Sequence, residues 1–215
     1  MAELSAHAIR SCRGDSVTLH VINVGGQPVP EAATVKFTTS KGSVQVVDNA
    51  AGDLDPTMGT VKVAMTQAAS YEACITDGTA NYNAVPWDPT YPICRSLTSS
   101  STKVDLGSAY MRRIPKVGFY FQDMQGNAAK GGTLTTVWPG NYTLSVYDGM
   151  PGWDAVVDGL ITLKLVSGPG TYSWCETKAP PGFMLTSPTC GSFVAAYDVD
   201  IAILLKHQPL LRLPG

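Results

Sequence analysis

Apolar and polar residues alternate along this chain in short runs, and the runs are broken by glycine, proline, asparagine or aspartate. Val17-Thr18-Leu19-His20-Val21-Ile22-Asn23 sets the pattern. In an extended chain, alternate side chains face opposite sides, so such a run presents one apolar face. Thr34-Val35-Lys36-Phe37-Thr38, Val44-Gln45-Val46-Val47-Asp48 and Thr60-Val61-Lys62-Val63-Ala64-Met65 read the same way. Gly25-Gly26-Gln27-Pro28 is a turn and Asp53 to Gly59 a loop. Tyr71 to Ile75 carries Cys74, and a Pro/Trp/Tyr-rich excursion from Tyr82 to Pro92 leads to Cys94. Lys103-Val104-Asp105-Leu106 then opens a closing strand. No long stretch shows the period of a helix. Val194 to Lys206 reads as a strand, with Tyr197, Val199, Ile201 and Ile203 on one face.

The same order then recurs about a hundred residues later. Gly118 to Phe121 is a first strand, and Gln125-Gly126-Asn127 matches the turn at Gly25-Gly26-Gln27. Leu144 to Asp148 matches Val44 to Asp48, and Gly159 to Leu163 matches Gly59 to Val63. Cys175 and Cys190 match Cys74 and Cys94, Val199-Asp200-Ile201 matches Val104-Asp105-Leu106, and Pro209 matches Pro115. The offset drifts only across loops, as in a duplicated unit. Short strands spaced by turn signals predict an all-β chain of two tandem antiparallel sandwiches. The expected boundaries are an N-terminal arm at 1–16, domains at 17–114 and 117–209, and a C-terminal tail at 210–215. Ile114-Pro115-Lys116 reads as a linker.

Composition agrees with this picture and narrows function. Of 215 residues only 15% are charged, against about 25% in an average domain. Gly, Ser, Thr, Pro and Asn fill the deficit, which suits tight turns. Net charge is -2 with no Lys/Arg stripe, so nucleic acid is not an expected partner, because phosphate affinity needs clustered cations. No run approaches the ~18 apolar residues of a membrane span. Met1 to Ser16 lacks the apolar core of a signal peptide, and the end at Leu210 to Gly215 carries no sorting tail. The expectation is a trimmed chain, or one that leaves its cell by another route.

Candidate chemistry is sparse. Cys74–Cys94 and Cys175–Cys190 read as disulfides, with four buried free thiols as the alternative. Cys12 is left over, a candidate intersubunit thiol. Arg13-Gly14-Asp15 is a three-residue adhesion motif and equally an ordinary turn. His7, His20 and His207 lie scattered on an arm, a strand and a tail, without a nucleophile at a recognised spacing. No catalytic site, metal site or cofactor is expected. Asp53, Asp55, Asp154 and Asp158 read as turn carboxylates, since no loop has the dense oxygen ligands of calcium. Asn141-Tyr142-Thr143 is a formal glycosylation sequon. Trp174 reads as core, whereas Trp87 and Trp153, in Pro/Gly-rich loops, are candidate contact aromatics.

One stretch adds a resemblance. Tyr172, Glu176-Thr177 and Ala179-Pro180-Pro181-Gly182-Phe183 resemble the end of the prealbumin-like repeats (SpaA-type, or collagen-adhesin B-type) of Gram-positive pilins and surface proteins. Asp123-Met124-Gln125-Gly126 resembles the turn that opens those repeats. The resemblance implies two tandem immunoglobulin-like or prealbumin-like sandwiches in a structural or adhesive role. Many such repeats carry a Lys–Asn isopeptide bond promoted by the motif glutamate, which burial keeps protonated. Glu176 stands at the glutamate position. The lysine position falls near Phe121, Val199 to Leu205 holds no asparagine, and Ile75 takes the glutamate's place in the first unit. The expectation is therefore a crosslink missing from both units, its role passed to the cysteine pairs.

These readings converge on a non-enzymatic β module that assembles or displays. Its expected place is the exterior of a bacteriophage virion, as a capsid-decoration or tail-surface protein, with the arm at 1–16 as attachment segment. The alternative is a bacterial cell-surface or pilus-type adhesin module, and a third reading is a ligand-binding module on a transthyretin-like sandwich. Expected partners are copies of itself or other proteins of an assembly, with a host glycan or receptor as a further candidate.

Overall fold

The computed structural model describes residues 15–65, 68–86 and 88–210. The chain divides into two compact units, Met1–Arg112 and Arg113–Gly215. Every regular element among the described residues is a strand. The first unit holds β1 (Ser16–Asn23), β2 (Thr34–Thr39), β3 (Gly42–Val47), β4 (Thr60–Ala64), β5 (Ser70–Asp77), β6 (Tyr82–Asn83), β7 (Cys94–Thr98) and β8 (Lys103–Arg113). The second holds β9 (Lys116–Asp123), β10 (Thr133–Trp138), β11 (Tyr142–Tyr147), β12 (Leu160–Lys164), β13 (Gly170–Lys178), β14 (Cys190–Ala195) and β15 (Ile201–His207).

Each unit is a two-sheet sandwich. In the first, the sheets run β4-β1-β8-β6 and β3-β2-β5-β7; in the second, β12-β9-β15 and β11-β10-β13-β14. Alternation explains the layering. Val17, Leu19 and Val21 of β1 face inward onto Val35 and Phe37 of β2 and Ala73 and Ile75 of β5. Val117, Phe119 and Phe121 of β9 do the same against Leu134, Tyr172 and Trp174. In both units the first strand pairs with the last in parallel, β1 with β8 and β9 with β15. The first strand also pairs antiparallel with β4 or β12.

Matching turns carry matching chemistry. Asn23 Oδ1 accepts from the Gly25 and Gln27 N–H groups, and Asp123 Oδ1 from those of Gln125 and Asn127. Gly26 and Gly126 sit at φ of 76° and 91°, where a Cβ is strained. Pro180 to Phe183 is closed by a hydrogen bond from the Phe183 N–H to the Pro180 carbonyl, with Gly182 at φ 87°. That is the sequence and geometry of a type II turn.

Three readings of the sequence need correction. Ser16 and Lys116 belong to strands, not to an arm and a linker, since their backbones pair with Ala64 and Lys164. Val194 to Lys206 is not one strand: β14 ends at Ala195, and Tyr197 and Val199 lie in the connection. Asp198 enforces the break. It sits at φ 66°, and its carboxylate accepts the Arg113 N–H at 2.7 Å. Asp200 accepts from the Arg113 guanidinium at 2.7 Å and the Lys116 N–H at 3.1 Å, so the two carboxylates anchor this connection to the stretch from the end of β8 to the start of β9. The last strands consequently align differently from the sequence matching. Ile201 lies opposite Val117 as Val104 lies opposite Val17, so Ile201 corresponds to Val104, not to Leu106.

Candidate functional site

The stretch around Glu176 builds the most polar place in either core. Along β13, Tyr172, Trp174 and Glu176 point inward by alternation. A bulge follows at once, the partner of Thr133 being Lys178 while Leu134 pairs with Glu176. Glu176 Oε2 accepts from the Thr186 N–H at 2.7 Å and its hydroxyl at 2.8 Å. Glu176 Oε1 lies 2.7 Å from His207 Nε2, and both side chains have 0% exposure. The imidazole stacks on Phe121 at 5.6 Å, and its Nδ1 is 3.3 Å from the Gln122 carbonyl oxygen. A carboxylate touching an imidazole is an acid–base pair in an open cleft. Enclosed as it is, this pair meets no solute, and its role is to hold Thr186, β13 and β15 together.

Register identifies the counterparts in the first unit. Val21 pairs with Ala109 and Asn23 with Met111, as Phe121 pairs with Leu205 and Asp123 with His207. Phe121, His207 and Glu176 thus stand where the first unit has Val21, Met111 and Ile75. One core is hydrocarbon at this place and the other is polar.

A second recurrent polar feature is an aspartate following β3 or β11. Asp48 Oδ2 accepts the Gly59 N–H at 2.6 Å, and Asp148 Oδ2 accepts the Gly159 and Gly131 N–H groups at 2.9 and 2.7 Å. Asp148 Oδ1 also receives the Asp158 N–H, whereas Asp48 Oδ1 is buried without a partner. Burial pushes the Asp48 carboxyl up, with Asp53 and Asp55 adding to it against the Gly59 hydrogen bond. Asp154 is raised for similar reasons, burial first and then Asp148 and Asp158 beyond its bond from Gly149. The Tyr172 hydroxyl, buried and donating to the Gly168 carbonyl, is pushed up to about 12 by desolvation and then by Tyr197.

Cys74–Cys94 and Cys175–Cys190 are disulfides, each across directly opposed positions of neighbouring antiparallel strands. Each closes a loop, of 20 and 15 residues' separation, and the second contains both Glu176 and Thr186. Asp53 and Asp55 cap backbone N–H groups of their own loop, as turn carboxylates do. Trp174 is core, and Trp153 is 43% exposed. Asn141 is exposed in a turn at φ 63°. His20 reaches Thr60 and Asp105 on a partly exposed strand face. Cys12, Arg13, Gly14, His7 and Trp87 lie outside the described residues, and Asp15 is the first residue within them.

No family model matches the chain, and no curated protein does. Solved structures do. A variant of the shaft pilin SpaA from Lactobacillus rhamnosus GG superposes with a TM-score of 0.50 at 12% identity, over 94% of this chain and 98% of that one. The fold is that of a shaft pilin. A Streptococcal ancillary pilin scores 0.41 at 14% identity, covering 94% of this chain and 64% of its own. The Bacillus anthracis TIE protein scores 0.41 at 13%, covering 91% and 34%. The chain therefore spans about a third of one of these proteins and less than two thirds of the other.

On this pilin fold Glu176 is flanked by His207, Thr186 and, through the imidazole, Phe121. Sequence reading placed His207 in a tail and missed it as a partner. The signal was present in the alternation Ile201, Ile203, Leu205, His207, which carries the histidine onto the inward face. Thr186 had no comparable signal, since its position depends on how the loop closed by Cys175–Cys190 folds back.

Proposed function

We propose that the chain is a non-enzymatic structural module on the exterior of a bacterial cell, joined to other protein subunits in a pilus-type assembly. The observation that carries this reading is the superposition on a shaft pilin along nearly the whole length of both chains. The chemistry of the interior agrees. The acid–base pair with the right residue types is sealed, and the paired cysteines are spent on cross-links between strands. This fold favours the cell-surface alternative over the virion placement, for which nothing in the architecture speaks. The test is localisation in the producing cells. Antibodies to the folded second unit should label the cell exterior and co-purify the chain with surface fibres. Label confined to phage particles, or to the cytosol, refutes it.

A further inference from the structure

Trp153 lies beside a cleft of about 490 Å³ lined by Lys116, Gly152, Thr162, Lys164 and Val166. Lys116 and Lys164 occupy directly opposed positions of the antiparallel β9–β12 pair. Like charges so placed repel and weaken the ladder. At the same register position the first unit has Ser16 opposite Ala64. Asp53 is spent on capping its own loop, through the Asn49, Asp55 and Lys62 N–H groups. The second unit has replaced a neutral pair with two cations and sets an exposed indole beside Asp154, the carboxylate that caps Gly149 as Asp53 caps Asn49.

The donors in this cleft are uncommitted. Among the described residues, the ammonium groups of Lys116 and Lys164, the Thr162 hydroxyl and the Trp153 indole N–H make no hydrogen bond or ion pair. Asp200 is close enough to feel the charge of Lys116 but is itself paired with Arg113. Asp154, next to Trp153, is turned to the Gly149 N–H. The larger cleft of the first unit, about 680 Å³ and lined by Ser40, Lys41, Ala68 and Ser99 among others, has no aromatic wall.

We infer that this cleft binds a carboxylated sugar residue of a surface glycan, a uronic or sialic acid. The inference rests on the reading of the chain as an exterior module. Two cations and two neutral donors fit a ligand made of acceptors around one negative charge. The indole offers a broad apolar face for the C–H side of a pyranose ring. β12 is an edge strand paired only with β9, so a peptide strand added beside it is the rival occupant, which the poly-glutamate probe tests.

The test uses the purified full chain, titrated with 3′-sialyllactose and with a hyaluronan tetrasaccharide by calorimetry and tryptophan fluorescence. Lactose, sodium sulfate and poly-glutamate are the comparison probes. Saturable binding of an acidic sugar, at least about tenfold tighter than lactose, is expected, with Trp153→Ala and Lys164→Ala each weakening it about tenfold. The exchange to first-unit residues, Lys116→Ser with Lys164→Ala, should abolish it while the thermal midpoint stays or rises, since a repulsion is removed. Absence of acidic-sugar binding overturns the inference, as does indifference to these substitutions. Equal or tighter binding of poly-glutamate makes the cleft an acidic-protein site, and binding of sulfate alone makes it an ion site; both also overturn it. A negative result leaves the localisation test untouched, because binding is measured on the isolated chain.

Discussion

Glu176 and His207 show how one residue pair can be indispensable without being favourable. Removing one partner of a buried pair leaves the other without compensation, at a cost of about 3–5 kcal/mol. Glu176→Ala or His207→Ala should lower the urea-unfolding free energy of the second unit by that amount and leave the first unit unchanged. Exchanging both for their first-unit counterparts, Glu176→Ile with His207→Met, should recover much of the loss. What remains is the cost of the Thr186 N–H left without an acceptor, about 1–3 kcal/mol, since the Thr186 hydroxyl can donate to the Pro188 carbonyl at 3.2 Å. Glu176 was legible in the sequence because its motif is local. His207 was not, since its partner lies 31 residues away and meets it only once β15 pairs with β9. Asp48 carries a pH signature. Its folded-state pKa is raised by burial, so its contribution is full below the ordinary value of 3.8 and is lost as pH rises through the folded value. Asp48→Asn should therefore gain stability relative to wild type as pH rises from 3.8 through the raised folded value. Calorimetric midpoints across that range check the sign.

At the scale of elements, the two disulfides tie edge strands to their neighbours. β7 and β14 each pair with one strand, β5 and β13, and each carries the second cysteine of its pair. Closing loops of this length contributes roughly 3 kcal/mol in the chain-entropy model. Cys175→Ser with Cys190→Ser should lower the second unit's stability by about that much, read as an earlier urea transition. It should also loosen the segment carrying Thr186, read as faster hydrogen exchange at the Thr186 N–H. Strand positions were readable because alternation is a property of a few adjacent residues. The division between β14 and β15 was not, because Val194 to Lys206 is apolar enough to continue as a strand. It is broken by Asp198 and Asp200 reaching Arg113 and Lys116, far away in sequence.

At the scale of the whole molecule, each unit has its own enclosed core, Val17 to Met111 in one and Val117 to Leu205 in the other. Residues 113–215 expressed alone under oxidising conditions should therefore fold and melt cooperatively, as seen by near-UV circular dichroism. A non-cooperative melt would show that the second core depends on the first. The parallel pairing of first and last strands, β1 with β8 and β9 with β15, has a mechanical side. In a parallel pair the chain comes in at one end and goes out at the other. A pull on the two termini of a unit then runs along the strands and shears all the hydrogen bonds between them together, where an antiparallel pair would unzip them singly. Such a unit should resist a steady tug better than its thermal stability alone would indicate.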